Sequence, residues 1–167
     1  MEQLLSFLII LMEWWLPSPS PEPTMAPVES GALIGTTTAA VLRVIDGDTI
    51  VVASGTTERT VRYIGIDAPE HYTNRPPECY AAAATRANQE LVAGQTVQLV
   101  PDVELTDKYG RDLRYVYVGD TFVNEALVAW GYARSLPIPP NRTYASKFYA
   151  AEQAAVSANN GLWEACE

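Results

Sequence analysis

A chain of 167 residues, 48% of them hydrophobic, is long enough for one domain with a real core and too apolar to be a disordered polymer. Its net charge of −9 excludes recognition of a polyanion through a broad positive face. A polyanionic ligand would have to be gripped locally, by a few Arg and Lys side chains and a bound cation.

The imbalance begins early. Glu2, Glu13, Glu22 and Glu29 precede Thr37 with no Lys or Arg among them; from Thr37 onward 11 basic residues face 16 acidic ones, a net of −5. Residues 1–16 form an apolar leader, with Leu4 to Leu16 interrupted at Ser6 and Glu13 and carrying Trp14-Trp15 near its end. The run is shorter than the roughly 20 residues of a spanning helix. Its length suits a signal-peptide core, but Met1-Glu2-Gln3 carries no Lys or Arg and no small-x-small cleavage site follows. Three readings stand: a signal segment with a misplaced start, a membrane-proximal anchor with Trp at the interface, or an apolar tail on a cytosolic protein. The first two are favoured, giving an extracytoplasmic protein, secreted or tethered through residues 4–16. Residues 17–36 read as a Pro-rich extended spacer, and residues 37–167 as the folded domain.

Within that domain, Thr38 to Val44 and Thr49 to Ala53 are β-branched and apolar and are joined by Asp46-Gly47-Asp48, a hairpin signal. Glu58 to Ile66 predicts one further strand, with Val61, Tyr63 and Gly65 on one face and Arg62, Ile64 and Ile66 on the other. Pro69 ends it, and a polar loop runs from His71 to Pro77. Tyr80 to Val92 predicts a helix stopped by Gly94, then Thr96 to Val100 and Leu113 to Val118 predict two more strands. A short helix over Val123 to Trp130 is expected to be capped by Asp120 or Thr121 and stopped by Gly131. Pro137-Ile138-Pro139-Pro140-Asn141 predicts a rigid loop. A last helix over Thr143 to Ala158 puts Tyr144, Phe148, Ala151 and Ala155 on one face. Five short strands with interspersed helices predict a mainly β fold, a five-stranded OB-type Greek-key barrel with three packed helices.

The chemistry gathers at two acidic turns, Asp46-Gly47-Asp48 and Ile66-Asp67-Ala68-Pro69-Glu70. Asp48 and Asp67 are the first candidates for metal ligands, because calcium takes carboxylates, carbonyls and waters and two carboxylates leave positions open for substrate. Asp46 is either an outer-shell group or a turn residue; the first turn taken alone would be an ordinary hairpin. Glu70, beyond a rigid Pro, is placed to orient or deprotonate a water, and is otherwise a solvated loop carboxylate. Arg62 and Arg111 are the phosphate-side candidates, since a planar guanidinium grips phosphate at two points. Lys108 and Tyr109 offer a charge for a terminal phosphate and a face for base or sugar. Their bland alternative is a charged hairpin loop. His71, the sole histidine, reads as loop decoration.

Cys79 and Cys166 are too far apart in sequence for a CxxC motif. A single disulfide is favoured over two free thiols, and its long loop would contribute at most about 4–5 kcal/mol.

Four segments taken together, Val44 to Thr49, Val61 to Glu70, Thr106 to Arg111 and Val123 to Val128, resemble the staphylococcal nuclease (thermonuclease) family, in order and over about Thr38 to Trp163. The resemblance implies a five-stranded OB barrel with three helices. It also implies calcium-dependent endonucleolytic cleavage of DNA and RNA to 3′-phosphate and 5′-hydroxyl ends, by a monomer with no protein partner implied. Asp48 and Asp67 match the family's calcium carboxylates, and Ala68 a position that ligates through its carbonyl. Arg62, Glu70 and Arg111 match the catalytic trio; Lys108 and Tyr109 match nucleotide-phosphate contacts. The chain departs from the pattern where the best-known member has two tyrosines that contact nucleotide and this one has Pro137 and Pro139. Base stacking there is lost or moved, with Tyr132 and Tyr144 as the candidates to receive it.

Two other classes of function compete with hydrolysis. One is the same barrel without turnover, binding single strands or a protein. The other is a calcium-binding structural domain on a tether, which has no use for an arginine pair.

Overall fold

A computed structural model describes residues 35–72 and 74–166. The expected leader and nearly all of the expected spacer therefore lie outside the described residues. Strand β1 (Thr37–Val44) pairs antiparallel with β2 (Thr49–Ser54), and β2 with β3 (Thr57–Tyr63). A register shift between Val41 and Arg43 lets β1 bend across to β5 (Thr96–Val100), its other neighbour. Strand β6 (Asp112–Val118) lies antiparallel to β5 and parallel to β3, and that last pairing closes the five strands into a barrel. The closed five-stranded barrel and its helices are the fold expected from the sequence.

The stretch expected as one strand from Glu58 to Ile66 is broken. β3 stops at Tyr63, and a separate two-residue strand, β4 (Ile66–Asp67), pairs with β8 (Arg134–Ser135). The cause is Gly65. It sits at φ +80°, and a Cβ there would fall 2.5 Å from Phe148 Cε2. Only glycine permits both the conformation and the approach, so the chain turns and the second acidic turn swings toward the first.

The helices cover the barrel. α1 (Ala81–Val92) buries Ala81, Ala84, Ala87, Asn88 and Val92, and small side chains let it lie close to the β1–β2 turn. A Cβ on Gly47 would meet the Cβ atoms of Ala68 and Ala84 at 2.6 and 2.9 Å, so that turn is wedged between α1 and the second acidic turn. α2 (Val123–Ala129) follows β7 (Thr121–Phe122). Neither Asp120 nor Thr121 caps it: Phe122 is the N-cap, with no side-chain bond, because Thr121 and Phe122 continue the sheet against Val118 and Tyr117. α3 (Ala145–Ser157) starts two residues later than expected and buries Phe148 and Ala155. A four-residue helix, α4 (Leu162–Ala165), follows it and was not foreseen. Cys79 and Cys166 are bonded, tying the end of α4 to the start of α1 across 87 residues. Among the described residues no helix is long and apolar enough to cross a membrane.

Candidate active site

The two acidic turns meet on one guanidinium. Arg62, near the end of β3, places Nη1 2.6 Å from Asp48 Oδ2 and Nη2 2.8 Å from Asp67 Oδ1. Nη1 also donates to the Ile66 carbonyl at 3.0 Å. Asp48 Oδ2 accepts the Ala68 N–H at 2.6 Å, and Asp48 Oδ1 accepts the Thr49 hydroxyl at 3.1 Å. Asp46 is a turn residue whose Oδ1 accepts the Asp48 N–H at 3.0 Å. Its carbonyl accepts Asn88 Nδ2 from α1 at 2.9 Å, and Asn88 Oδ1 accepts the Tyr63 hydroxyl at 2.9 Å. Asn88 and Tyr63 therefore fix the first turn from beneath. Sequence reasoning missed both, and only their polarity among apolar neighbours could have signalled them.

Asp48 is buried, with 3% of its surface exposed. That burial pushes its carboxyl up to about 7; the Arg62 charge opposes the shift and the Asp46 carboxylate adds to it. Arg62 therefore only partly offsets the cost of burying this carboxylate. The donors on offer are all hard oxygens, the Asp48 and Asp67 carboxylates with the adjoining Ala68 carbonyl, and they suit calcium or magnesium rather than zinc. Among the described residues no three His, Cys, Asp or Glu side chains cluster as a cage. A cation held here would keep much of its coordination sphere for water and substrate, so the residues fit an open site.

Arg62 also lines a groove of about 410 Å³ with Arg111, Lys108, Tyr109, Leu113, Leu136 and Ile138. Arg111 Nε binds Asp107 Oδ2 at 2.7 Å, while Asp107 Oδ1 accepts the N–H groups of Tyr109 and Arg111 at 2.9 and 3.0 Å. Burial pushes the Asp107 carboxyl up, but these donors outweigh it and hold it below the usual carboxylate range. Arg111 is thus oriented by Asp107, and among the described residues its Nη groups make no hydrogen bond or ion pair. The Arg111 and Lys108 cations lie 5.6 and 5.0 Å from the Tyr109 ring centroid, and the ring itself is exposed.

Three lining residues of the groove, Leu136, Ile138 and Asn141, were not singled out by sequence reasoning. Asn141 is buried; its Oδ1 accepts the Glu104 N–H at 2.7 Å and its Nδ2 donates to the Glu104 carbonyl at 2.9 Å. This pins the loop that leads to Arg111 against the Pro-rich loop. Leu136 and Ile138 present aliphatic surface there. Tyr132 and Tyr144, the candidates to receive base stacking, both pack against other rings of the fold. Tyr132 is stacked on Tyr80 at 5.7 Å, and Tyr144 packs edge-on against Tyr115 at 4.6 Å within the aromatic core.

Glu70 is brought near by sequence alone. Its backbone is clasped by Glu78, with Glu70 N–H to Glu78 Oε2 at 3.2 Å and Glu78 N–H to the Glu70 carbonyl at 3.0 Å. Its own carboxylate is exposed and makes no hydrogen bond or ion pair among the described residues. His71 is an exposed loop residue.

Comparison with known proteins points the same way. A protein-family model described as staphylococcal nuclease homologue matches residues 60–165. Over 125 residues, 74% of this chain and 74% of the relative, the chain is 39% identical to the thermonuclease of Staphylococcus intermedius. It is 36% identical to the thermonuclease of Staphylococcus hyicus over 124 residues, covering 74% of this chain and 73% of that protein. It is 41% identical to endonuclease YncB of Bacillus subtilis (strain 168) over 126 residues, covering 72% of this chain and 59% of that protein.

Proposed function

The chain belongs to the staphylococcal nuclease family, and from that premise we propose that it is a calcium-dependent nuclease cleaving DNA and RNA to 3′-phosphate and 5′-hydroxyl ends. The observation that carries the reading is the Arg62 guanidinium, which holds the carboxylates of both acidic turns and faces the groove it shares with Arg111.

In this reading Asp48, Asp67 and the Ala68 carbonyl hold the calcium ion. A calcium ion held by these oxygens would supply positive charge and Lewis acidity beside the phosphate. Arg62 and Arg111 donate to the phosphate oxygens and neutralise charge that grows in the five-coordinate transition state. Glu70 orients the attacking water and accepts its proton as the new P–O bond forms. The P–O5′ bond breaks on the Arg111 side, and the leaving oxygen takes up a proton to become the 5′-hydroxyl. Lys108 and Tyr109 hold the neighbouring phosphate and the sugar or base.

The second reading is a strand-binding barrel without turnover, and the free Glu70 carboxylate is the observation that favours it. Glu70→Gln separates the two. A general base at this position makes the variant slower on single-stranded DNA by orders of magnitude, with binding little changed. Undiminished cleavage would remove Glu70 from the mechanism.

The Cys79–Cys166 bond and the apolar leader support an oxidising, extracytoplasmic location. We read residues 37–167 as the monomeric catalytic domain, borne on a leader at residues 1–16 and a spacer at residues 17–36.

A further inference from the structure

Arg134 stands directly opposite Asp67 in the β4–β8 pair. Opposed residues of an antiparallel pair share a face, with Cβ atoms about 5 Å apart. The Asp67 carboxylate pairs with Arg62, while the Arg134 guanidinium lies 4.3 Å from the centroid of the Trp163 ring. This seat fixes the cation without occupying its N–H donors. Arg62 and Arg111 are each paired with carboxylates, but among the described residues no carboxylate lies within ion-pair distance of Arg134. Its charge also acts on Glu78, the residue that clasps the Glu70 backbone, and Arg134 is not among the residues that line the groove.

The seat is braced. α4, which carries Trp163, is bonded through Cys166 to Cys79, and its Leu162 N–H donates to the Gly131 carbonyl at 2.8 Å. In a chain of net charge −9, an exposed guanidinium seated on an aromatic ring, with no ion-pair partner among the described residues, keeps its N–H donors for an external acceptor. A phosphate supplies the missing partner.

We propose that Arg134, seated on Trp163, is a second phosphate contact that grips the nucleic-acid strand beyond the nucleotide held in the groove. This rests on the nuclease reading and extends it from one nucleotide to a strand. The groove would then set chemistry at one phosphodiester while Arg134 sets the direction of the strand leaving it.

The test compares wild type with Arg134→Met, which keeps the stem that covers Trp163 and removes the charge, and with Arg134→Lys. Binding of fluorescein-labelled dT12 and dT2 is measured by anisotropy in chelator, where no turnover occurs, across a range of NaCl concentrations. For dT12, Arg134→Met is expected to raise Kd about five- to tenfold and to flatten the logarithmic salt slope by about 0.7, the amount due to one single-strand phosphate contact. Arg134→Lys should restore the slope, and the loss on dT2 should be at least fivefold smaller than on dT12. An unchanged slope in Arg134→Met, an equal loss on dT2, or a wild type that does not bind dT12 would overturn the proposal. Cleavage of dT12 by wild type in calcium is scored separately. A protein that binds with the predicted slopes but never cuts would keep the Arg134 contact and remove the nuclease reading.

Discussion

The carboxylate of Asp48 accepts the backbone N–H of Ala68 at 2.6 Å, across 20 residues of chain. This bond makes the two acidic turns one unit. It also means that the first turn cannot shift without moving the second.

Calcium is therefore expected to stabilise the fold. At a free concentration 100 times Kd the gain is about 2.7 kcal/mol, which for a domain of this size raises Tm by roughly 5–10 °C. Asp48→Asn keeps an oxygen for the Ala68 N–H and leaves Arg62 its pairing with Asp67, so the calcium-free variant should melt within a few degrees of wild type. Its calcium-induced rise should vanish. Thermal melts with calcium and with chelator check this, and an Asp48→Asn protein still stabilised by calcium would remove Asp48 from the ligand set.

Stability should depend on pH in opposite senses with and without the ion. In calcium-free protein Asp48 ionises near 7 rather than near 3.8, so between those values the folded state binds more protons than the unfolded one. Its contribution is complete below about pH 4 and is lost as pH rises toward 7. Asp107 works the other way. Its folded value is lowered, so its contribution is present above the unfolded value and is lost as pH falls through the folded one. A bound cation requires the Asp48 carboxylate, so the gap between calcium-loaded and calcium-free Tm should widen from pH 5 to pH 8. A gap that is flat over that range would contradict the burial of Asp48.

Asn88 links Asp46 to Tyr63 under the first turn. Asn88→Leu leaves the Tyr63 hydroxyl and the Asp46 carbonyl without partners, and each such group costs about 1–3 kcal/mol when buried. Urea unfolding should show a loss of about 2–4 kcal/mol, with calcium affinity reduced as the turn loosens. A loss below 0.5 kcal/mol would mean that water replaces the amide.

Ile138 lines the groove and is 62% exposed. Ile138→Tyr offers an aromatic face where the wall is now aliphatic, and base stacking is worth about 1–3 kcal/mol. KM for single-stranded DNA should fall at least fivefold with kcat within a factor of about three. An unchanged KM would show that bases do not reach this wall.

Much of the site was legible in the sequence because its parts are short-range. Asp-Gly-Asp between two β-branched runs dictates a turn, and Asp67-Ala68-Pro69 dictates the end of a strand, whatever the rest of the chain does. The β-branched runs likewise carry their own period, so the barrel strands were readable with small errors at their ends. What escaped depends on distant partners. The break at Gly65 is forced by Phe148, 83 residues on. The start of α2 is set by sheet pairing of Thr121 and Phe122 rather than by a capping side chain. The aliphatic wall at Leu136 and Ile138 exists because the Pro-rich loop is pinned by Asn141 to Glu104, a contact no local pattern announces. The contacts of Tyr132 with Tyr80 and of Tyr144 with Tyr115 are likewise long-range packing that no local pattern shows.

Asp48, Asp67, Arg62 and Arg111 are proposed to act together on a phosphodiester with calcium. The most direct measurement is cleavage of end-labelled single-stranded DNA and RNA by the wild-type chain, in calcium and in chelator, with the product ends identified. Rapid cutting in calcium to 3′-phosphate and 5′-hydroxyl ends is expected, with a loss of several orders of magnitude in chelator and a comparable loss in Arg62→Lys and Arg111→Lys. Equal cleavage in chelator, or no cleavage in calcium by a folded protein that binds the ion, would contradict it.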